Sequence, residues 1–119
     1  MNWRSWFSKA DRSAGDGKAD HCVTLHIRLS GDGFGTWAER TSIHRLSDRL
    51  SVVIDSNGLG EYDGDEFGGG EATLYMYGPN SEQIFDAILP LLRDASVTVS
   101  HAVLRYGPPG APSKTIEIA

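Results

Sequence analysis

The sequence predicts an α+β domain in which two helices cover one face of an antiparallel sheet. Three observations predict it: several stretches alternate between apolar and polar side chains, two stretches repeat with helical periodicity, and glycine- or proline-rich breaks separate them. In chain order the elements are β-α-β-β-α-β, followed by a tail. The chain has 119 residues, of which 39% are hydrophobic and 23% charged, and this composition is typical of one globular domain.

The first strand and the first helix are predicted between residues 20 and 57. Residues 20–29 alternate strictly, which is typical of a half-buried strand. Its polar face carries Cys22, Thr24, His26 and Arg28. Thr36 and Glu39 then fit a capping box, and a stripe of isoleucine and leucine follows with helical spacing. Asn57 and the glycine after it are suited to end this helix.

An acidic, glycine-rich stretch predicts the second strand, roughly residues 60–67. If this strand is regular, Glu61, Asp63 and Asp65 share one face, whereas a bulge at Gly64 would change the register. Three like charges two residues apart are costly to bury unpaired. We therefore expect these carboxylates on the open side of the sheet or at its rim.

The third strand and the second helix follow this stretch. Residues 72–77 alternate again and place Tyr75 and Tyr77 on one face. Asn80 is suited to cap a helix whose apolar positions lie between residues 84 and 92.

The last part of the chain predicts the fourth strand over residues 97–106 and a short fifth strand over residues 114–118, separated by a proline-rich break. The order β-α-β-β-α-β is that of the ferredoxin-like plait, with a four-stranded antiparallel sheet. Right-handed crossovers place both helices on one face. We expect the strand order 4-1-3-2, with the first and third strands central and the acidic second strand at an edge.

The face without helices holds the candidate ligand or interface residues. They are His26, Arg28, Glu61, Asp63, Asp65, Tyr75 and Tyr77. A net charge of −5 disfavours nucleic acid, whose binding depends on neutralising phosphates. The run Asp63 to Glu66 resembles a calcium loop only in composition, and Cys22, His26 and His101 lack the usual spacing of zinc ligands. We therefore expect no nucleic acid, no metal and no cofactor.

Three functions remain open for this face. The first is a non-enzymatic module that forms a homodimer or binds a protein partner, because tyrosine is enriched at interface cores. The second is a small enzyme or ligand-binding site, with Glu61 or Asp63 as the base and His26 or Tyr75 as its partner. The third is an immunity-type inhibitor, whose acidic surface complements a basic toxin. We favour the first function, and the sequence leans away from an enzyme without deciding the point.

Residues 1–19 predict an aromatic and basic appendage with a flexible linker, and residues 20–119 the domain. Trp3, Trp6 and Phe7 fall on one face of a short helix, suited to a membrane interface or to docking on protein. The short length favours docking over stable membrane association.

The sequence also predicts a cytoplasmic location. No apolar run reaches the roughly 20 residues of a membrane span, and the start lacks the apolar core of a secretory signal. The single cysteine, Cys22, excludes an internal disulfide framework.

One part of the chain resembles a known group of proteins. The runs Gly-Glu-Tyr-Asp-Gly-Asp-Glu-Phe-Gly from Gly60 and Ala-Thr-Leu-Tyr-Met-Tyr-Gly-Pro-Asn from Ala72 are similar to a group of small uncharacterised bacterial proteins. In these, a Glu-Phe/Tyr-Asp-Gly strand precedes a Leu-Tyr-Phe/Met-Tyr-Gly-Pro strand and a helix. The resemblance covers roughly residues 59–92. It implies the same plait and carries no established activity.

Overall fold

The computed structural model describes residues 20–31 and 33–119. These residues form an α+β domain of two helices and one five-stranded antiparallel sheet. The elements are β1 (His21–Arg28), α1 (Trp37–Ser56), β2 (Glu61–Gly68), β3 (Glu71–Gly78), α2 (Ser81–Asp94), β4 (Val99–Arg105) and β5 (Ser113–Glu117). The predicted appendage with Trp3, Trp6 and Phe7 lies outside the described residues.

The strand order of the sheet is β2-β3-β1-β4-β5. The order expected for the first four strands is therefore confirmed, with β1 and β3 in the centre and the acidic β2 at an edge. The expected four-stranded sheet is extended by β5, which pairs with β4. The break after β4 folds back on itself: the Ala111 N–H donates to the Pro108 carbonyl and the Tyr106 N–H donates to the Pro112 carbonyl, both at 2.9 Å. These bonds return the chain beside β4.

Both helices begin at the capping residues that the sequence predicts. The Thr36 hydroxyl accepts from the Glu39 N–H at 3.1 Å, and the Glu39 carboxylate accepts from the Thr36 N–H at 2.8 Å. The bond from the Thr36 N–H holds the pKa of Glu39 below its usual value. At the start of α2 the Asn80 side chain accepts from the Gln83 N–H at 3.1 Å. Each cap satisfies a backbone donor that a helix start leaves unpaired.

The core lies between the sheet and the helices. β1 contributes Val23, Leu25 and Ile27, β3 contributes Leu74 and Met76, α1 contributes Ile43, Leu50 and Ile54, and α2 contributes Ile84 and Ile88. All of these side chains are at most 1% exposed. The alternation of β1 and β3 therefore works as predicted, since every second residue enters this core. The residues between them project from the opposite face, which α1 and α2 leave uncovered.

Candidate functional site

The candidate site is the open face, which we define as the sheet face opposite α1 and α2. Strand register arranges its side chains in three rows across the sheet. The first row holds Glu66, Thr73, His26, His101 and Glu117; the second holds Tyr75, Thr24, Val103 and Thr115; the third holds Glu61, Tyr77, Cys22, Arg105 and Ser113. The face therefore combines aromatic, imidazole and charged groups on its central strands.

A bulge in β2 determines which acidic side chains reach the open face. The β2–β3 register shifts between Tyr62 and Asp65, so that two β2 residues oppose the single residue Tyr75. Gly64 lies in this bulge with a φ of +99°, a left-handed conformation that favours glycine. Regular alternation therefore does not hold in β2, and the bulge named as the alternative is present.

Because of the bulge, Asp65 and Glu66 exchange the faces that regular alternation assigns to them. Asp65 pairs with the core residue Leu74 and lies on the helix side, whereas Glu66 pairs with Thr73 on the open face. Burial raises the pKa of Asp65, and His44 opposes this shift electrostatically. The expectation that Asp65 lies on the open side of the sheet or at its rim is therefore wrong.

The two tyrosines of the open face stay protonated near neutral pH. The Tyr75 hydroxyl donates to the Glu66 carboxylate. Burial raises the pKa of Tyr75, and the bond to Glu66 raises it further, because this bond needs the proton. Burial also raises the pKa of Tyr77, with a smaller contribution from the neighbouring Cys22 and Asp63. Both hydroxyls therefore act as hydrogen-bonding groups and not as bases.

His26 lies at the centre of a polar cluster on β1, β3 and β4. Its Nδ1 is 3.2 Å from the Glu71 carboxylate, and its Nε2 is 3.0 Å from the Thr24 hydroxyl. The ring stacks on His101 with centroids 4.5 Å apart and planes within 3° of parallel. The Nδ1 of His101 is in turn 2.9 Å from the Ser100 hydroxyl. Because protein groups contact both nitrogens of His26, its ring is fixed in place and its orientation is specified.

The two arginines of the open face have different environments. Arg105 donates from Nε to the Gly107 carbonyl at 2.7 Å and from Nη2 to the Asp20 carbonyl at 3.0 Å. These bonds hold its guanidinium beside Cys22, where Asp20 joins β1. Arg28 is exposed and lies opposite Glu71 at the other end of β1. Arg28 is therefore at the rim, while Arg105 is part of the face.

The structure brings most of the predicted site residues together. Glu61, Tyr77 and Tyr75 lie on neighbouring strand positions of the open face, and His26 lies one row away from Tyr75. Asp63 is buried in the bulge, with 2% of its surface exposed, so the expectation of an accessible carboxylate is wrong at this position. Sequence reasoning missed Glu66, Glu71 and Arg105 as members of the site. Gly64 could have predicted the role of Glu66, because a glycine within a strand indicates a bulge, and this bulge turns the Glu66 side chain toward Tyr75.

Protein contacts restrict Tyr75 and His26, the two residues expected to assist an acid–base reaction. A general base needs an accessible atom whose pKa lies near the working pH. Tyr75 and Tyr77 are held protonated, and both nitrogens of His26 lie against protein groups. Within residues 20–31 and 33–119, no group of three or more His, Cys, Asp or Glu side chains is arranged to hold a metal ion. What the face offers is a broad surface of ordered side chains.

Two grooves of the structure lie on the helix side of the sheet, between α1 and α2. One groove is lined by Val53, Asn57, Leu59, Gln83, Asp86 and Ala87. The other is lined by Asp48, Arg49, Val52, Val53 and Leu91. Both grooves lie between α1 and α2, on the other side of the sheet from the open face. The candidate residues that the sequence predicts do not line them.

No helix in the part of the chain that the structure describes combines the length and the apolar character needed to cross a membrane. Comparisons of this chain with protein-family models, with curated proteins and with solved structures find no match.

Proposed function

We propose that this chain is a non-enzymatic module that associates through its open face, in the first place with a second copy of itself. Its fold is a ferredoxin-like plait extended by a fifth strand, and its location is the cytoplasm, where a lone buried cysteine is ordinary. The observation that carries the proposal is the ordered aromatic and imidazole surface on β1, β3 and β4.

The side chains of the open face are suited to an interface core. Tyrosine provides a large contact area and one hydrogen bond at little cost in conformational entropy. Tyr75 is already oriented by Glu66, and the stacked rings of His26 and His101 are already ordered. Groups ordered before association lose less entropy when the partner arrives. The face therefore favours association over a site that must rearrange around a substrate.

The strand order determines how two copies would meet. Glu61 and Glu66 lie on the edge strand β2, whereas Arg105 lies three strands away on β4. A twofold axis that runs in the plane of the sheets, along β1, places β3 of one copy over β4 of the other, so that Tyr77 faces Arg105 across the interface. The acidic residues of β2 then lie at the rim, over β5 of the other copy, while the tyrosines and histidines meet near the centre.

Sedimentation velocity tests this proposal over protein concentrations from about 10 μM to about 1 mM. We expect the wild-type chain to dimerise as concentration rises. Tyr75→Ala should raise the dissociation constant by about tenfold or more, because truncating a central aromatic typically costs over 1 kcal/mol. Tyr75→Phe keeps the ring and should have a smaller effect.

Trp37→Ala is the matched control, because Trp37 is an aromatic residue with 75% exposure at the start of α1, away from the open face. It should leave the dissociation constant unchanged. A strict monomer at the highest concentration, or equal losses from Tyr75→Ala and Trp37→Ala, would contradict the proposal.

A further inference from the structure

The two edge strands of the sheet differ in their suitability for pairing with another strand. β2 is interrupted by the bulge at Gly64 and is acidic, and both features discourage a partner strand. β5 pairs with β4 through five successive residues, Ser113 to Glu117, without a register shift. An edge with this regularity is a template for a further strand.

The β4–β5 ladder shows which backbone groups of β5 point away from the sheet. The Tyr106 N–H donates to the Pro112 carbonyl and the Ile118 N–H donates to the Ser100 carbonyl, both at 2.9 Å. Bonded pairs alternate along an antiparallel ladder. Pro112 and Ile118 are bonded to β4, so every second residue between them, Lys114 and Ile116, also directs its backbone N–H and C=O toward β4. Ser113, Thr115 and Glu117 therefore direct theirs outward.

The side chains of β5 leave this edge accessible. Lysine on an edge strand commonly protects it against pairing. Lys114, however, lies opposite the core residue Leu104 on the helix side, and its Nζ is 3.0 Å from the Glu82 carboxylate of α2. The ion pair holds its charge over the helix and not along the edge. Thr115 and Ile116 are β-branched, which suits an extended strand.

We propose that β5 pairs antiparallel with β5 of a second copy, about a twofold axis at Thr115. In this register Thr115 lies opposite Thr115, Ser113 opposite Glu117, and Lys114 opposite Ile116. It is the one register that pairs all five residues of β5. It also avoids opposing like charges, whereas axes at Lys114 or Glu117 would set two lysines or two glutamates against each other.

This pairing is a second surface, and it does not depend on association through the open face. It joins two sheets into one of ten strands, with both open faces on the same side. A strand edge alone buries less than the roughly 1,200 Å² of a stable interface, so the contact is weak and forms at high concentration. Its axis is perpendicular to the sheet and runs beside β5, away from the axis along β1, so the two contacts together would extend an open row of copies and would not close a ring.

Disulfide cross-linking tests the register directly. Thr115→Cys places two thiols at a hydrogen-bonded pair, where Cα atoms lie about 5.5 Å apart, inside the range that a disulfide spans. Ser113→Cys is the matched control, because Ser113 is also exposed and on the same sheet face. In the proposed dimer the two copies of Ser113 are offset by four residues, about 13 Å.

Under mild oxidation at about 0.5 mM protein, we expect Thr115→Cys to form a covalent dimer at least about tenfold faster than Ser113→Cys. Native Cys22 is buried and present in both variants, so its contribution cancels. Equal rates for the two variants, or no covalent dimer of Thr115→Cys, would overturn the inference.

Two substitutions separate this edge from the open face. Thr115→Pro removes an outward N–H and leaves the β4 ladder intact, so the melting temperature should stay the same while edge association is lost. Sedimentation should then show the face-to-face dimer without larger assemblies. Tyr75→Ala should leave the cross-linking rate of Thr115→Cys unchanged. If Tyr75→Ala abolishes this cross-linking while Thr115→Pro leaves the assembly unaltered, the edge inference is wrong and the open-face proposal stands.

Discussion

Replacing Gly78 with alanine should destabilise the domain strongly, although the backbone of Gly78 lies outside the left-handed region. The main chain at Leu59, just before β2, crosses directly over Gly78 at the end of β3. A Cβ at Gly78 would overlap the Leu59 carbonyl oxygen and lie only 3.0 Å from Cδ1 of Ile84. Ordinary contact begins at 3.4 Å. Because a backbone atom is involved, the two segments must separate by roughly 1 Å, as in an overpacked core.

The expected loss is about 3 kcal/mol of unfolding free energy, at the upper end of what overpacking costs. For a domain of this size that corresponds to a fall in melting temperature of roughly 12 to 24 °C. Urea unfolding followed by circular dichroism measures the free energy, and differential scanning calorimetry measures the melting temperature. Since Gly78 follows Tyr77, the displacement should also weaken association through the open face.

Gly58→Ala is the matched control. Gly58 has a φ of +61° and no heavy atom within 4 Å of an added Cβ, so alanine costs only the left-handed conformation, about 1 kcal/mol. A loss below about 1 kcal/mol for Gly78→Ala, or a larger loss for Gly58→Ala, would refute the steric reasoning.

Three further substitutions test the local interactions that support the sheet and the helices. Tyr62→Phe should cost about 1 to 2 kcal/mol in urea unfolding, because it leaves the buried Ser47 hydroxyl without its 2.7 Å partner; adding Ser47→Ala should recover part of this loss. Asp65→Asn should stabilise the domain at pH 7. Burial raises the folded-state pKa of Asp65 above 3.8, so the wild-type chain loses stability as pH rises through that folded pKa, whereas asparagine carries no charge at any pH. The gain should disappear near pH 3, where Asp65 is neutral in both states, and a constant difference between these pH values in thermal melts would contradict the assignment. Asn80→Ala should lower the unfolding free energy by about 1 kcal/mol, because the Asn80 side-chain oxygen accepts a hydrogen bond from the Gln83 N–H. Asn80→Asp keeps an accepting oxygen at this position and should therefore keep most of the wild-type unfolding free energy.

Local patterns in the sequence were sufficient to predict where most helices and strands lie along the chain. The alternation of β1 and the capping box at Thr36 involve residues close in sequence, and both signals stay valid in the folded chain. The observed β1 bounds, His21–Arg28, fall one residue inside each predicted end. The predicted place of β2 at the edge followed from topology, since right-handed crossovers leave few arrangements.

The composition of the site depended on long-range register, which local patterns do not encode. Glycine at position 64 indicated that a bulge was an option, but the shift is determined by how β2 pairs with β3. That pairing turns Glu66 toward Tyr75. The stack of His26 on His101 likewise depends on the β1–β4 register, which shifts just beyond His26. Such contacts join residues 9 and 75 positions apart, beyond the reach of any periodicity.

The bulge in β2 reverses the alternation of faces for all residues that follow it in the strand. One extra residue changes which side every following residue faces, so Phe67 points to the helices and Glu66 to the open face. Deleting one residue between Tyr62 and Asp65 would leave a single β2 residue opposite Tyr75, and Asp65 would still pair with Leu74. Glu66 and Phe67 would therefore keep their faces, and only the bulge would be lost. The shortened β2 would then be a regular edge strand, without the irregularity that discourages a partner strand.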